Sequence, residues 1–439
     1  MKRIIITTII LLSIGIASAN NYVWLHGMND AFNCWKIYDE AFTPGISDRF
    51  YYVCDTSISV IASRRNYNYT TSRYETMYGK KDMILIGHSM GGIVAREIEY
   101  NHRSNVKGII TIGTPHEGAV VLNELNNGGV NLLSKKVIKK AKNSVQASIA
   151  AISSIIFGFS NSNFLNGLIS STLIVGLDVA DYLLMPVVEQ SIEDQKKEMN
   201  INSQGIQDMV KGSPYMQTIS SRKVNVPILT FACEEDRWAL ARTGYCASTT
   251  TSADKPLSNK YRLQTEPTLN SAGNFDMGGY NQLKDVNNAC YIAGGAHAVI
   301  ATAAFVAGFS YPKFFYTATM NGIASGFWFD TALYIDNGLD YDNAILVGAY
   351  HVDKKEIKFK LFGKWYVIPI SSITVPEPHD GIVPINSQLL PYERGTKVIH
   401  PATTIKGVNH MEQFNHPKTR AEFKKAIEDG GYEPTTFRK

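Results

Sequence analysis

Short apolar runs alternate with helical patterns along much of the chain, and this alternation predicts an α/β fold. Runs typical of strands occur at residues 22–25, 50–54, 83–86, 106–112 and 226–232, and a last one lies within 397–405. Helical patterns follow the first and third of these runs, over residues 30–42 and 92–102. Strands that alternate with helices predict a mostly parallel central sheet with covering helices.

Two long segments interrupt this alternation, and we interpret both as insertions. The first, about 117–224, contains an uncharged stretch at 144–177 that serine and asparagine residues divide into short apolar pieces. We expect this stretch to form amphipathic helices that act as a lid over the site. Ordinary core helices and a pair of membrane-spanning segments are the alternatives.

The second segment, about 233–372, is an α+β insertion that resembles no familiar unit. Its pattern predicts apolar helices at 296–307 and 316–333, then strands at 344–352, 356–362 and 365–370. Gly363 and Lys364 would form the hairpin turn between the last two strands.

The first 19 residues have the pattern of a secretory signal peptide. Lys2 and Arg3 form a positive end, residues 4–16 are apolar, and Ala17-Ser18-Ala19 is a small-residue cleavage site. The apolar run is shorter than the roughly 20 residues of a spanning helix. We therefore expect a mature chain of residues 20–439 that is secreted, to a periplasm or beyond the cell.

Composition and charge narrow the class of function. Of the 439 residues 44% are hydrophobic and 19% charged, which is typical of a globular protein with a large core. The net charge of +4 is too small to favour nucleic acid as a partner.

Five cysteines remain after the leader, and export permits disulfides between them. Cys34–Cys54 and Cys233–Cys246 are plausible local pairs, with Cys290 free, although free buried thiols fit nearly as well. No cysteine or histidine spacing suggests zinc.

The pentapeptide Gly87-His88-Ser89-Met90-Gly91 lies between a predicted strand and a predicted helix. In this context the G-x-S-x-G pattern predicts a nucleophile elbow, a tight turn that lifts a serine hydroxyl above the edge of a sheet. The glycines allow neighbouring backbone to approach closely. Ser89 is therefore the candidate nucleophile.

A serine hydroxyl needs a base and an oriented partner for that base, and in α/β-hydrolases the acid and the histidine follow the serine in the chain. His410 follows the last predicted strand, and Asp380 stands in the turn sequence Asp380-Gly381. We rank Asp380 ahead of Glu234, Glu235 and Asp236, which follow the strand predicted at 226–232.

An oxyanion hole needs two backbone N–H groups at the place where negative charge develops. Met90, the residue after the nucleophile, supplies one of them at the start of a helix. The loop Leu25-His26-Gly27-Met28 follows the first strand, and the Met28 N–H is the candidate for the second.

These motifs together resemble those of secreted bacterial lipases with the α/β-hydrolase fold. The shared segments are Leu25–Met28, Gly87–Arg96, Gly113–Gly118, Asp380–Pro384 and Asn409–Glu412, and the Gly-His-Ser-Met-Gly-Gly elbow is also similar to that of lipases that deacylate membrane anchors. The resemblance covers about half of the chain. It implies hydrolysis of lipid esters by Ser89, His410 and Asp380.

Some such lipases bind calcium through an acidic residue two positions after the histidine, where Glu412 stands here. No second ligand is evident, so we predict no metal and no cofactor, with a calcium ion as the alternative, and we interpret Glu412 as a solvated loop charge.

The expected partner is a lipid or ester substrate, at a membrane or emulsion surface. A phospholipase, another acylhydrolase or a thioesterase could use the same three residues. A membrane-binding or adhesive protein on a hydrolase scaffold is the non-catalytic alternative.

Overall fold

The computed structural model describes the chain in several stretches. The described residues are 20–27, 50–52, 82–101, 103–129, 202–235, 278–311, 313–361, 364–413, 416–433 and 435–438, together with Trp35, Tyr38, Phe42, Trp238 and Ala239. The predicted leader, the predicted lid stretch 144–177 and most of the helix predicted at 30–42 lie outside these residues.

Ten strands occur in the described residues. They are β1 (Asn21–Leu25), β2 (Phe50–Tyr52), β3 (Met83–His88), β4 (Val106–Ile112), β5 (Ile228–Phe231), β6 (Cys233–Glu234), β7 (Tyr350–Leu361), β8 (Lys364–Pro376), β9 (Val398–Ile399) and β10 (Ile405–Lys406).

Nine α-helices occur in the same stretches. They are α1 (Met90–Asn101), α2 (Val120–Asn127), α3 (Gln204–Met209), α4 (Pro214–Ser221), α5 (Gly278–Gly308), α6 (Lys313–Leu333), α7 (Leu339–Val347), α8 (Ile385–Gln388) and α9 (Pro417–Lys424).

The central sheet has six parallel strands in the order β2-β1-β3-β4-β5-β9. The first strand of the sheet in the chain is β1. The next strand, β2, lies on one side of β1, and β3 lies on its other side. The order therefore reverses between β1 and β3. In open α/β sheets, ligands bind in the crevice beyond the carboxyl ends of the strands at such a reversal. His26 and Gly27 follow β1 at this point, and Ser89 follows β3.

The sheet is buried on both faces, which explains why its strands are almost wholly apolar. Alternate residues of β1 and β3 belong to two separate core clusters. Val23, Leu25 and Leu85 pack on one face with residues of α1. Trp24 and Ile84 pack on the other face, in a cluster that includes Trp35 and Phe423.

Two further pieces of structure lie outside the central sheet. Helices α5 and α6 form a long antiparallel hairpin, and a turn of π-helix at Tyr334–Gly338 connects α6 to α7. Strands β7 and β8 pair as an antiparallel ribbon, and Leu361 lies opposite Lys364 at its end. Gly363, in the predicted turn of this ribbon, lies outside the described residues.

The structure confirms the predicted α/β class and the position of each sheet strand to within a few residues. The strand predicted at 344–352 is wrong, because Leu339–Val347 is helical and the ribbon strand begins only at Tyr350. Gly348 ends the helix with φ of +74°, and its N–H donates to the carbonyls of Ala344 and Ile345. Packing of Ala344 and Val347 on the half-buried Val121 of α2 outweighs the strand preference of this apolar run.

The proposed pairing of Cys233 with Cys246 is also wrong. Cys233 is a free, fully buried thiol on β6, within the core cluster that contains Trp24. Cys290 is free, as expected. Cys34 and Cys54 lie outside the described residues.

Candidate active site

Ser89 stands on the tight turn that joins β3 to α1. Its φ is +52°, in the left-handed region that residues other than glycine rarely adopt. The Ser89 N–H donates to the Ile112 carbonyl at 3.0 Å, and the Ser89 carbonyl accepts from the Gly92 N–H at 3.1 Å. These bonds hold the turn in its strained form, and such strain is typical of a functional site.

The glycines on either side of Ser89 are required by close backbone contacts. A Cβ on Gly87 would lie 2.4 Å from the Gly92 nitrogen, and a Cβ on Gly91 would lie 2.3 Å from the Leu25 carbonyl oxygen. No side chain can be accommodated at such distances. The G-x-S-x-G pattern is therefore a packing requirement of this elbow as well as a sequence signature.

His410 reaches Ser89 from the loop after β10. Its Nε2 lies 2.9 Å from the Ser89 Oγ, and its Nδ1 lies 2.8 Å from Oδ2 of Asp380. A carboxylate can only accept, so Nδ1 carries the ring proton and Nε2 is left to accept from the serine hydroxyl. The imidazole thus has the tautomer that a general base needs.

Asp380 is fully buried, and each of its carboxylate oxygens has two donors. Oδ1 accepts from the N–H groups of Ile382 and Val383, at 3.0 and 2.7 Å. Oδ2 accepts from His410 and from Nε2 of Gln413, the latter at 2.7 Å. These four hydrogen bonds fix the orientation of the carboxylate toward the His410 ring.

Backbone contacts join the two loops that carry this pair. The His410 N–H donates to the Asp380 carbonyl at 2.8 Å, so main chain and side chain both connect the two residues. Gly381 turns the acid loop with φ of +94°, and its N–H donates to the His379 ring.

His88 supports the same loop from beneath. Its Nε2 lies 3.1 Å from the His410 carbonyl, and the two rings lie 4.9 Å apart between centroids. Burial, together with the nearby His410, holds the His88 pKa well below its usual value. The ring is therefore neutral at physiological pH and donates one N–H to that carbonyl.

Two of the competing acids have other partners. Glu234 accepts from the Thr404 hydroxyl at 3.0 Å and pairs with Lys406, while Glu235 accepts from Asn409 at 3.4 Å. Asp236 lies outside the described residues. Among the described acids it is Asp380 that the structure brings against the His410 ring.

The oxyanion candidates are described in part. Met90 is the first residue of α1, where helix N–H groups have no partner within the helix. Gly27 lies directly over the elbow, since a Cβ on it would be 3.1 Å from the Ser89 Cβ. Met28, whose N–H is the second candidate, lies outside the described residues.

The interpretation of Glu412 as a solvated loop charge is wrong. The residue is fully buried, because the chain turns tightly after His410 and carries Glu412 inward. Its N–H donates to the Asn409 carbonyl, and its carbonyl accepts from the His416 N–H. Within the described part of the chain, no group of three or more His, Cys, Asp or Glu side chains could hold a metal ion.

Sequence reasoning missed Gln413, which contacts both sides of the site. It donates to Asp380, and a Cβ on Gly113 would lie 1.9 Å from its Oε1. A glutamine three positions after a histidine carries no motif of its own. Its closeness to His410 in the chain was the one available signal.

Comparison with known families finds one match. A family described as "PGAP1-like alpha/beta domain" matches residues 56–178, a little over a quarter of the chain. This segment includes β3, the elbow and β4, and it ends before Asp380 and His410. No curated protein matches the chain.

Solved structures similar to this chain include several α/β-hydrolases. A lipase from Bacillus licheniformis is 14% identical, with a TM-score of 0.24, over 51% of this chain and 69% of its own. An extracellular α/β-hydrolase from a Paenibacillus species is 11% identical, with a TM-score of 0.25, over 49% of this chain and 78% of its own. An esterase from a Rhodococcus species is 13% identical, with a TM-score of 0.25, over 51% of this chain and 75% of its own.

The family match and the strand order agree with the resemblance seen in the sequence. The parallel sheet, with the tight Ser89 turn directly after β3 and before α1, has the arrangement of an α/β-hydrolase fold.

Proposed function

We propose that this chain is a secreted serine hydrolase that cleaves carboxylic esters of lipids through Ser89, His410 and Asp380. The observation that carries the proposal is the unbroken set of hydrogen bonds from Ser89 through His410 to Asp380, at 2.9 and 2.8 Å. Nucleophile, base and orienting acid have the order and contacts that acyl transfer requires.

In the proposed reaction, Ser89 Oγ attacks the ester carbonyl while His410 Nε2 takes its proton. Asp380 stabilises the imidazolium that forms, and four donors hold its carboxylate in place for this. The N–H groups of Met90 and Met28 receive the negative charge on the carbonyl oxygen. His410 then returns the proton to the leaving alkoxide.

Water completes the cycle by the same route in reverse. His410 takes a proton from water, the resulting hydroxide attacks the acyl-enzyme, and the acid leaves as Ser89 recovers its proton. Each proton in this scheme moves between groups of the chain, the substrate and water, and we assign no role to a metal or cofactor.

Substrate class is the finer part of the proposal. The uncharged stretch 144–177 would supply a lid or acyl pocket beside the elbow, which favours a lipid ester over a small polar one. A thioester or phospholipid substrate would use the same three residues, because these residues act on the acyl carbonyl alone.

Turnover of p-nitrophenyl esters of graded chain length, with phospholipid and triglyceride emulsions alongside, tests the proposal. We expect Ser89→Ala and His410→Ala each to lower kcat at least about 10³-fold. Ser221→Ala is the matched control, because this serine is exposed on α4 and donates only to the Thr218 carbonyl. Full turnover by Ser89→Ala would overturn the proposal in favour of the non-catalytic alternative.

A further inference from the structure

The hairpin of α5 and α6 exposes large apolar side chains on both of its helices and at its tip. Six of them are at least 64% exposed: Ile292, Val299, Val306, Phe309, Tyr316 and Ile323. A contiguous apolar surface of this kind on a folded protein marks a site of interaction.

Small residues occupy several buried positions in the seam between the two helices, and the Phe329 ring packs on Gly294 there. Gly294, Ala304 and Ala318 are buried there. Ser325 donates its hydroxyl across the seam to the Gly294 carbonyl at 2.8 Å. Small residues in the seam, with large apolar residues exposed outside it, match the packing of helices in membranes.

Polar groups along the hairpin find partners within it. The His297 ring lies 2.8 Å from the Asn321 side chain of the other helix. The hydroxyls of Thr302 and Thr319 donate to carbonyls one turn earlier in their own helices, at 2.9 Å each. Internal satisfaction of this sort is what a nonpolar solvent demands of a side chain.

Length and charge fit a bilayer. Residues Asn287–Ala307 of α5 are long and apolar enough to cross a membrane, and most of them are not buried. At 1.5 Å per residue its 21 residues extend about 32 Å, against a hydrocarbon core of about 30 Å. No Asp, Glu, Lys or Arg occurs between Asp285 and Lys313, or between Lys313 and Asp330.

The two ends of the hairpin differ in chemistry. At the base, Asn287 and Tyr291 both donate to the Asp336 carboxylate, at 2.7 and 2.6 Å. At the tip, Phe305, Phe309 and Phe315 form an aromatic cluster with centroids 5.3 to 5.7 Å apart. The base carries several carboxylates, and the tip carries the single charge of Lys313. The tip is therefore the end suited to enter lipid, because a lysine there can reach the far headgroup region after a span of this length.

The base also connects the hairpin to the catalytic domain. Trp238, four residues after β6, donates its indole N–H to the Ile335 carbonyl at 2.7 Å. Its backbone N–H donates to Asp340 at 2.6 Å. Hydrogen bonds thus join the hairpin base to the segment that leaves the sheet beside the loop of His410.

We propose that the α5–α6 hairpin inserts tip first into a lipid bilayer and holds the hydrolase domain at the membrane surface. Bilayer lipid fits this surface better than a second copy of the chain does. At about 100° per residue, Val306, Ile292 and Ile300 of α5 lie within about 120° of one another, on the side of the helix opposite Gly294. α6 exposes Tyr316 and Ile323 as well, and the uncharged length of α5 matches the hydrocarbon core, which a contact between two copies would not require. The inference rests on the hairpin alone and not on the proposed reaction.

Flotation of the purified mature chain with phosphatidylcholine vesicles tests this insertion. We expect the wild type to float with the vesicles, and to do so equally in 1 M NaCl, because apolar insertion is not screened by salt. A charge on the outer face must enter hydrocarbon, so Val299→Asp with Ile323→Asp should weaken partition at least about 100-fold.

Control variants show whether a loss of flotation is specific to the hairpin. Val352→Asp with Ile373→Asp places the same charges on exposed aliphatic residues of the β7–β8 ribbon, and should float like the wild type. Ser89→Ala should also float, which separates failure of the inference from failure of the proposed reaction. Thermal unfolding shows whether each variant is folded.

Three results would overturn the inference. They are absence of wild-type flotation, loss of flotation in the ribbon pair but not in the hairpin pair, and a salt-sensitive association. A discrete dimer in buffer that the hairpin pair abolishes, without any flotation, would assign the surface to a second copy of the chain.

Discussion

Replacing Asp380 by asparagine changes one atom at the centre of the site and leaves its shape intact. Oδ1 accepts from two backbone N–H groups, which cannot turn away, so the amide oxygen of the variant must stay on that side. The amide NH₂ then faces the former donors, Nδ1 of His410 and Nε2 of Gln413.

The consequence is a change in the tautomer of His410. Nδ1 of His410 must now accept, so the ring proton moves to Nε2, which faces the Ser89 oxygen at 2.9 Å. An N–H at that position cannot take the serine proton. We expect kcat for ester hydrolysis to fall about 10³- to 10⁴-fold, which corresponds to about 4 to 5 kcal/mol of transition-state stabilisation.

The assay is initial-rate hydrolysis of a p-nitrophenyl ester at saturating concentration, with circular dichroism to establish folding. Glu234→Gln is the matched control, because this neighbouring acid pairs with Thr404 and Lys406. We expect kcat of this variant to fall less than about threefold. A folded Asp380→Asn variant within tenfold of the wild type would refute the reasoning. A large loss in the Glu234→Gln variant alone would refute the choice of acid.

Three further predictions concern stability and reactivity. Gly91→Ala places a Cβ 2.3 Å from strand backbone and should lower the free energy of unfolding by about 3 kcal/mol or more. Gly128→Ala, at positive φ but in open space, should lower it by about 1 kcal/mol. Equal denaturation midpoints for the two variants would contradict this prediction. Burial lowers the pKa of His26 and of His379 from 6.5 to about 4, so the unfolded chain takes up protons first as pH falls below 6.5. Each of these two histidines should then lower the free energy of unfolding by about 2 kcal/mol at pH 5. A thermal midpoint that stays the same between pH 7.5 and 5 would contradict this prediction. The Cys233 thiol is fully buried and its pKa is raised well above the usual value, so a maleimide should modify it only after unfolding, as peptide mass spectrometry would show.

The parts of the fold that were predictable are those whose sequence pattern follows from a single physical cause. A strand buried on both faces must be apolar throughout, so β3 and β4 were visible as continuous runs. The elbow was visible because Gly87 and Gly91 contact backbone at distances that exclude any Cβ. Both features restrict the residue types allowed at these positions, and a restriction of that kind is visible in the sequence itself.

The parts that failed depend on tertiary contacts. The apolar run at 344–352 fits the residue pattern of a strand and also that of a helix, and packing against α2 favours the helix. Glu412 is charged and follows a loop, yet the tight turn after His410 buries it. Gln413 contacts Asp380 only because two loops 33 residues apart are joined by backbone hydrogen bonds. Charge and propensity along the chain do not carry this information.

The central claim is that Ser89 is a hydroxyl made reactive by His410. Its most direct test is treatment of the folded mature chain with a fluorophosphonate, followed by mass spectrometry of the peptides. We predict a single adduct on Ser89, formed at least about 10³-fold more slowly in the His410→Ala variant. No adduct on Ser89, or an equal rate of labelling in that variant, would contradict the account.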